Sequence, residues 1–540
     1  MPELTVDIRS SGSAEEAGSL IEKLVAERVA STLAERDPTL WGPRAEHEAG
    51  KRLGWVTSPA TSRPLLATIE ALRADLHSGG IDRVVLAGMG GSSLAPEVIC
   101  ATMQAPLTVL DTTDPGQVAD ALAGDLERTV LVVSSKSGAT VETDSHRRVF
   151  VAAFAAAGLD PAAHVVVVTD PGSPLQRTAE AEGYRAVITA DPEVGGRYSA
   201  LTAFGLVPAG LAGADIAGLL DDAAEQVPLL ATDDPGNPAL RLAAALGAAH
   251  ARGADKVVLA DTGSGIIGLA DWAEQLIAES TGKDGTGLLP VVVEGPGAPG
   301  FADAGPDATP VTIGPGVDPA GIAVTGTLGG QFQLWEHAVA MAGKLLGINP
   351  FDQPDVEAAK VAARALLDGS TTPDPEPAFV EGAVAVYPIG DWPHAGAATV
   401  AEALRALITV TPELGYLAVQ AYLDRIADAS AAVLRSELAR RSRRGGLQVT
   451  FGWGPRFLHS TGQYHKGGHQ NGSFLQITGD ADQDLQVPGT SYTLGQLQRA
   501  QALGDAQVLA VRGRPVLRLH LLDRPAGLIQ VVRAVQELGE

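Results

Sequence analysis

Short, nearly unbroken apolar runs recur along the chain, each ending in small or polar residues and followed by a stretch of helical periodicity. Between residues 81 and 215 the runs are Val84–Ala87, Leu107–Leu110, Thr129–Val133, Val165–Val168 and the weaker Ala186–Ile188. They are too short for globular helices and lack polar alternation, which is the pattern of strands buried on both faces of a parallel sheet. Residues 230–370 repeat the scheme. Ala244–Ala251 and Leu269–Glu279 read as helices, Lys256–Ala260 and Leu288–Val293 as strands, and Glu294–Pro319 as a loop rich in Gly, Pro, Ala and Asp. Phe332–Leu346 is a strongly apolar helix, and Val356–Leu367, which carries Lys360, is another. The first eighty residues read as helical, with periodic apolar positions in Ala17–Leu33 and Leu65–Leu76, and Trp41 and Trp55 read as packing residues.

A linker rich in Thr, Pro, Asp and Glu occupies 371–379. Beyond it the pattern predicts strands at Ala383–Tyr387, Ser473–Ile477, Val508–Ala510 and Val516–Leu521. Helices are predicted near Ala397–Leu407, Glu413–Ile426, Ser430–Arg440, Leu494–Leu503 and Pro525–Leu538, the third ending in a solvated basic run at Arg440–Arg444. Strands alternating with helices define an α/β protein with two three-layer αβα domains, parallel sheets and helical extensions. The expected boundaries are a helical extension over 1–78, a first, phosphate-binding domain over 79–225, and a second domain over 226–370. A C-terminal α/β segment over 371–540 is expected to complete the second domain and the active site.

Function in such sheets gathers at the carboxyl ends of strands. After Val84–Ala87 comes Gly88-Met89-Gly90-Gly91-Ser92-Ser93, then a helix start. Glycines permit a tight turn and close ligand approach, and a helix N-terminus presents free N–H groups to an anion. Neither GxGxxG nor a GK[ST] loop is present, so a sugar phosphate fits better than a nucleotide. Thr129–Val133 repeats the logic with Ser134-Ser135-Lys136-Ser137-Gly138-Ala139-Thr140, a hydroxyl-rich cradle with one mobile cation. Asp111–Pro115 and Thr169–Gly172 occupy equivalent strand ends. Gly195-Gly196-Arg197 lets the backbone come close while a guanidinium reaches across, and a buried arginine there needs an anionic partner. A third cluster, His459 to His469, holds three histidines, Gln463 and Lys466. No carboxylate or cysteine accompanies it, so acid–base and positioning work suits it better than metal binding.

Composition narrows this further. The 540 residues are 45% apolar, enough for more than one core, and acidic groups outnumber basic ones 64 to 39. A net charge of -25 argues against general nucleic-acid binding. The single cysteine, Cys100, precludes an intramolecular disulfide and reads as a small buried hydrophobe. No signal peptide or membrane span is legible, so a cytoplasmic location without a membrane partner is expected.

Gly88–Pro96, Ser135–Thr143, Val194–Ser199 and Trp335–Lys360 together resemble the phosphoglucose isomerase family, a sugar-isomerase-type fold. The similarity is nearest to the isomerase half of transaldolase–phosphoglucose isomerase fusions and runs from about Trp41 onward. The resemblance implies aldose–ketose interconversion of glucose 6-phosphate and fructose 6-phosphate through a cis-enediol(ate), with a small-molecule sugar phosphate as partner, no cofactor and no metal. It assigns the phosphate to Gly90, Gly91, Ser92 and the Ser135, Lys136, Ser137, Thr140 loop. Arg197 is implied to steady developing charge and Lys360 to act near the ring oxygen, and Glu336-His337 matches a structural pair. The family's base glutamate has no counterpart, since Gly452 stands at its offset and Gln476 is the nearest residue at the alternative position. Glu279 and His465, or His469, are the candidates to replace the missing groups, with His459 and Gln463 contacting substrate. A non-catalytic sugar-phosphate binder and an isomerase that also accepts mannose 6-phosphate remain alternative readings, and a homodimer is possible.

Overall fold

The computed structural model describes residues 3–9, 11–367, 376–394, 396–441 and 446–539. Most of the expected linker, 371–375, and residues 442–444 of the basic run lie outside them. Sixteen strands among the described residues form three sheets.

The first strand, β1 (Thr5–Ile8), corrects the expectation of a purely helical extension. It is the antiparallel edge of a sheet whose other strands come much later, pairing Thr5 with Thr325 and Ile8 with Ile322. Four residues, of which only Val6 is buried, leave too brief an alternation to register in the sequence. The helices that follow, among them Ser11–Ala26 and Pro64–Ser78, pack on the two central domains. Trp55 is fully buried and stacked on Tyr198 at 5.0 Å, and Trp41 donates to the Ala340 carbonyl at 2.8 Å, so both pack as expected.

The first sheet contains every strand predicted for it: β2 (Arg83–Gly88), β3 (Thr108–Leu110), β4 (Thr129–Ser134), β5 (Val165–Thr169) and β6 (Ala186–Thr189). The order is β3-β2-β4-β5-β6, all parallel. Chain direction across the sheet reverses between β2 and β4, which opens a crevice beyond their carboxyl ends. The glycine loop and the hydroxyl loop leave from those two ends.

The second sheet holds β7 (Lys256–Asp261), β8 (Leu289–Val292), β9 (Ala308–Ile313) and β10 (Ile322–Thr325) in the order β1-β10-β9-β7-β8. Strand β9 lies inside the segment read as a loop. Pro310 disguises it, because proline inside a central strand is uncommon, and here it pairs with Val258. The apolar helix Leu328–Leu346 is buried almost throughout its length.

Residues beyond 376 build a third sheet rather than completing the second. Its strands are β11 (Phe379–Glu381), β12 (Val384–Ile389), β13 (Tyr416–Tyr422), β14 (Gln448–Trp453), β15 (Gly472–Gly479) and β16 (Val516–Leu521). The order is β11-β12-β16-β15-β13-β14, with β13 to β16 mutually parallel, β12 antiparallel to β16 and β11 antiparallel to β12. The helix expected over Glu413–Ile426 is instead the inner strand β13, buried at every position, where a mostly apolar run fits either element. The strand expected at Val508–Ala510 is the last turn of a long helix, Leu494–Val511. One face of this sheet is covered by the helices Val400–Val410, Val433–Arg441 and Arg524–Gln536. From the other, Tyr416, Ala418, Phe474 and Val516 join Val258, Leu289 and Val291 of the second sheet in one apolar cluster.

Candidate active site

A cavity of about 440 Å³ lies at the carboxyl ends of β2 and β4, between the three sheets. Its first wall is the glycine loop. Gly90 has φ +56°, and a Cβ there would stand 2.7 Å from the His459 carbonyl oxygen. A Cβ on Gly91 would stand 2.0 Å from the Gly196 carbonyl oxygen. Glycine is required at both positions because two other turns, those of His459 and Arg197, press on this one. Ser92 lines the same wall.

The hydroxyl loop forms the adjacent wall and supplies Ser135, Lys136, Ser137 and Thr140. Ser135 Oγ and Thr140 Oγ1 are 2.9 Å apart, and Ser135 Oγ accepts from Gly138 N at 3.2 Å, which closes the loop on itself. Lys136 Nζ is 2.6 Å from Asp170 Oδ2. Burial pulls the lysine's pKa down and pushes the aspartate's up, so each charge depends on the other.

Arg197 is buried and held on every side. It donates through Nε to Ser280 at 2.9 Å, through Nη1 to Gln353 at 2.9 Å and through Nη2 to the carbonyls of Pro350 and Asp352 at 2.7 and 3.1 Å. Its anionic partner is Glu279 Oε2 at 3.4 Å. Burial pushes the Glu279 carboxyl up, outweighing the opposing charges of Arg197, His459 and Lys283. Lys283 staples the same Asn349–Asp352 segment, donating to the Asn349 carbonyl and Asp352 Oδ1, each at 2.8 Å. Burial and the neighbouring Arg197 bring its pKa down to about 8. Lys360, half-exposed on the helix Glu357–Leu367, closes this side.

The opposite wall comes from the third domain. His459, at the end of the turn Arg456–His459, places Nε2 3.0 Å from Glu142 Oε1 on the first turn of the helix Val141–Ala156. Gln501 Nε2 donates to the same carboxylate oxygen at 2.6 Å, and Thr113 Oγ1 to Gln501 Oε1 at 2.8 Å. Burial alone would raise the Glu142 carboxyl, but the charge and hydrogen bond of His459 outweigh it and hold the pKa at about 2. An ionised carboxylate only accepts, so Nε2 is the donor of this pair. Gln275 Nε2 fixes the His459 carbonyl at 2.8 Å and stands 3.5 Å from Glu279 Oε2. A second hollow of about 300 Å³ shares His459, Lys360, Ser137 and Thr140 with the first and is lined by Glu142 and Gln501.

Thus the structure brings Gly90, Gly91, Ser92, Ser135, Lys136, Ser137, Thr140, Arg197, Glu279, Lys360 and His459 to one cavity. It does not bring Gln463 or His465 there. Gln463 is fully buried and ties Gly282 to Asp355, donating at 2.9 Å to the former's carbonyl and at 2.8 Å to the latter's carboxylate. His465 is buried with Nδ1 3.1 Å from Tyr416 Oη, and its ring stands edge-on to Phe474. Burial holds its pKa well below the usual imidazole range, which leaves it neutral. His469 lies beside Asp255 at 3.8 Å, also outside the cavity lining. Glu336 and His337 are buried in the apolar helix, with His337 Nδ1 2.8 Å from the Gln333 carbonyl.

Sequence reasoning assigned no role to Glu142, Gln275 or Gln501. Glu142 follows the hydroxyl loop directly, and that adjacency is the one signal that marks it. The Asp111–Asp114 loop has a use other than ligand binding. Asp111 Oδ2 takes Arg456 at 2.6 Å and Asp114 Oδ2 takes Arg524 at 2.7 Å, so this strand end docks the third domain. Cys100 is buried, and burial pushes its thiol up to about 12. Among the described residues no group of three or more His, Cys, Asp or Glu is arranged to hold a metal, and no helix is long and apolar enough to cross a membrane.

The family described as "Phosphoglucose isomerase" matches residues 67–283. The glucose-6-phosphate isomerase of Thermosynechococcus vestitus is 30% identical over 412 residues, covering 60% of this chain and 77% of the relative. That of Citrifermentans bemidjiense is 31% identical over 381 residues, covering 56% and 70%. Among solved structures, a hypothetical protein of Thermus thermophilus superposes with a TM-score of 0.57 at 27% identity, covering 67% of this chain and 99% of its own. A glucose-6-phosphate isomerase of Chlamydia trachomatis, at 20% identity and TM-score 0.51 over 67% and 86%, shares the fold.

Proposed function

The chain belongs to the phosphoglucose isomerase family, and from that premise we propose that it interconverts glucose 6-phosphate and fructose 6-phosphate. The observation that carries the reading is the His459–Glu142 pair at 3.0 Å, standing across one cavity from the Glu279–Arg197 pair at 3.4 Å. Two acid–base groups thereby flank a hollow that has a hydroxyl and lysine cradle at one end.

The phosphate sits against Ser92, Ser135, Ser137 and Thr140, with Lys136 turning from Asp170 to the incoming dianion. Holding this remote group orients the reacting carbons without taking part in the chemistry. Ring opening moves one proton from the C1 hydroxyl to a base and one proton to O5 as the C1–O5 bond breaks. His459, oriented by Glu142, and Lys360 serve that exchange. Glu279 then takes the C2 proton as the C1 carbonyl becomes an enediolate, the O2 proton passes to O1, and Glu279 returns the carried proton to C1 as the C2 carbonyl forms. Burial makes Glu279 a stronger base than a solvated carboxylate, and the Arg197 charge steadies the enediolate.

The test is turnover of fructose 6-phosphate by the purified chain in deuterated water without added metal. Formation of glucose 6-phosphate with deuterium at C2 is expected, and Glu279→Gln is expected to abolish it. Binding without turnover overturns the isomerase reading, and unchanged C2 exchange in Glu279→Gln overturns the choice of base.

A further inference from the structure

Arg197 depends for its aim on the segment 349–353, which lies in no helix or strand. Phe351 anchors one side of that segment, its ring edge-on to Trp41 at 4.8 Å. The other side presents carbonyl oxygens to two buried cations. Lys283 Nζ donates to the Asn349 carbonyl at 2.8 Å, to the Asp352 carbonyl at 2.5 Å and to Asp352 Oδ1 at 2.8 Å, which uses all three of its protons. Arg197 Nη2 donates to the Pro350 carbonyl at 2.7 Å and to the same Asp352 carbonyl at 3.1 Å. One oxygen therefore joins the lysine to the arginine, and both set the shape of the segment.

Lys283 is itself placed by close packing. It follows Gly282, which ends the helix Leu269–Thr281 that carries Glu279. A Cβ on Gly282 would stand 2.6 Å from Tyr464 Cα, and Gln463 Nε2 holds the Gly282 carbonyl at 2.9 Å. The lysine side chain is 2% exposed and does not line the cavity. An ammonium group at that burial is a costly staple, and what it adds beyond hydrogen bonds is charge.

That charge is felt at Glu279. Four charged groups meet here, Lys283, Arg197, Glu279 and Asp352. The lysine opposes the effect of burial on the Glu279 carboxyl, while Asp352 and Glu279 support the lysine's charge against burial and Arg197. Two further pairs stand on adjoining residues, Arg44 with Asp284 at 3.4 Å and Arg512 with Asp355 at 2.8 Å.

We propose that Lys283 is a positioning residue, which aims Arg197 through the Asp352 carbonyl and tempers the basicity of Glu279 by its charge. The inference rests on the reading of Glu279 as the base and of Arg197 as the group that steadies the enediolate. With its pKa brought down to about 8, Lys283 gives up that charge in mildly alkaline solution, and the site then loses both the aim and the tempering.

The pH profile of fructose 6-phosphate turnover tests it, with KM read beside kcat. Lys283→Gln keeps a hydrogen-bonding side chain and removes the charge. It is expected to lower kcat at least about tenfold with KM within about threefold, and to move the acid limb of kcat up by about one pH unit, because Glu279 loses a neighbouring positive charge. Lys283→Arg is expected to return the acid limb to its wild-type place. Asp352→Asn alters a carboxylate that is 43% exposed and keeps the Asp352 carbonyl, so a folded protein is expected. It withdraws support from the lysine's charge, and the alkaline limb is expected to move to lower pH. An unmoved acid limb in Lys283→Gln overturns the proposal, as does an unfolded Lys283→Gln beside an unmoved alkaline limb in Asp352→Asn. Either outcome leaves Lys283 a structural staple. Absence of turnover in the wild type overturns the isomerase reading instead, and the crystal structure of Lys283→Gln then decides. Arg197 parted from the Pro350 and Asp352 carbonyls supports the positioning role, and Arg197 unmoved overturns it.

Discussion

The two walls of the active-site cavity are held by different forces. The glycine turns of the first-domain wall are set by steric contact. Gly91 touches the Gly196 turn so closely that a Cβ would stand 2.0 Å from its carbonyl oxygen, and a Cβ on Gly138 would stand 2.8 Å from Leu175 N. The third-domain wall is electrostatic. Arg456 spans Glu97 and Asp111 at 2.6 Å each, Arg425 reaches Glu97 at 2.8 Å, and His459 reaches Glu142 at 3.0 Å. A wall set by contact ignores pH and salt but tolerates no added atom. A wall set by charge tolerates changes of size, yet it stands only while its groups stay ionised.

The sharpest break of this contrast removes the imidazole that reaches Glu142. His459→Ala is expected to lower kcat by about 100- to 10,000-fold, the range for loss of a general acid–base group, and also to lower the melting temperature, because the buried Glu142 carboxylate loses its partner. Parallel kinetics and calorimetry check it, and a loss of stability with kcat unchanged would mean that His459 only docks the wall. Gly91→Ala attacks the other wall. It is expected to cost about 100-fold in kcat/KM by displacing the cradle, and to do so equally at all pH values and salt concentrations.

Acid separates the walls without mutation. Burial alone would raise Glu97, but Arg456 and Arg425 outweigh it and hold its pKa at about 2 against an ordinary 4.5. Glu142 is held at about 2 in the same way by His459. Carboxyls with depressed folded-state pKa values contribute stability in full above the unfolded value, and that contribution drains away as pH falls from about 4.5 towards 2. Melting temperature is therefore expected to decline over that window, and Glu97→Gln to lower it at neutral pH while flattening the decline. The smallest effect belongs to a histidine outside both walls. His465→Gln is expected to leave kcat within about twofold while costing roughly 1–3 kcal/mol by stranding the Tyr416 hydroxyl, read by denaturant unfolding.

The same division governs what the sequence reveals. Both loops of the steric wall stand out, because contact with backbone demands glycine and phosphate binding demands hydroxyls, all within a few adjacent residues. The first sheet is equally open, since β2, β4 and β5 are uninterrupted apolar runs. Strand β13 is broken by Gln420, and its Leu and two Ala suit a helix as well, while β9 is hidden by Pro310. The electrostatic wall depends on partners far apart in the chain. His459 and Glu142 are separated by 317 positions, and nothing local distinguishes His459, which faces the cavity, from His465, which is buried beside Tyr416. Only the fold decides which histidine is wet.

One further consequence belongs to the ribosome. Among the described residues strand β1 pairs only with β10, and Thr5 meets Thr325 across 320 positions. At about 5–20 residues per second, roughly 15–60 s of synthesis separate the emergence of the two strands. All five strands of the first sheet leave the exit tunnel within that interval, while the segment bearing Leu4 and Val6 has no native edge to join. The nascent protein therefore carries an open strand through most of the time needed to make its first two domains, and the edge that ends this wait is among the last pieces of the second sheet to be translated.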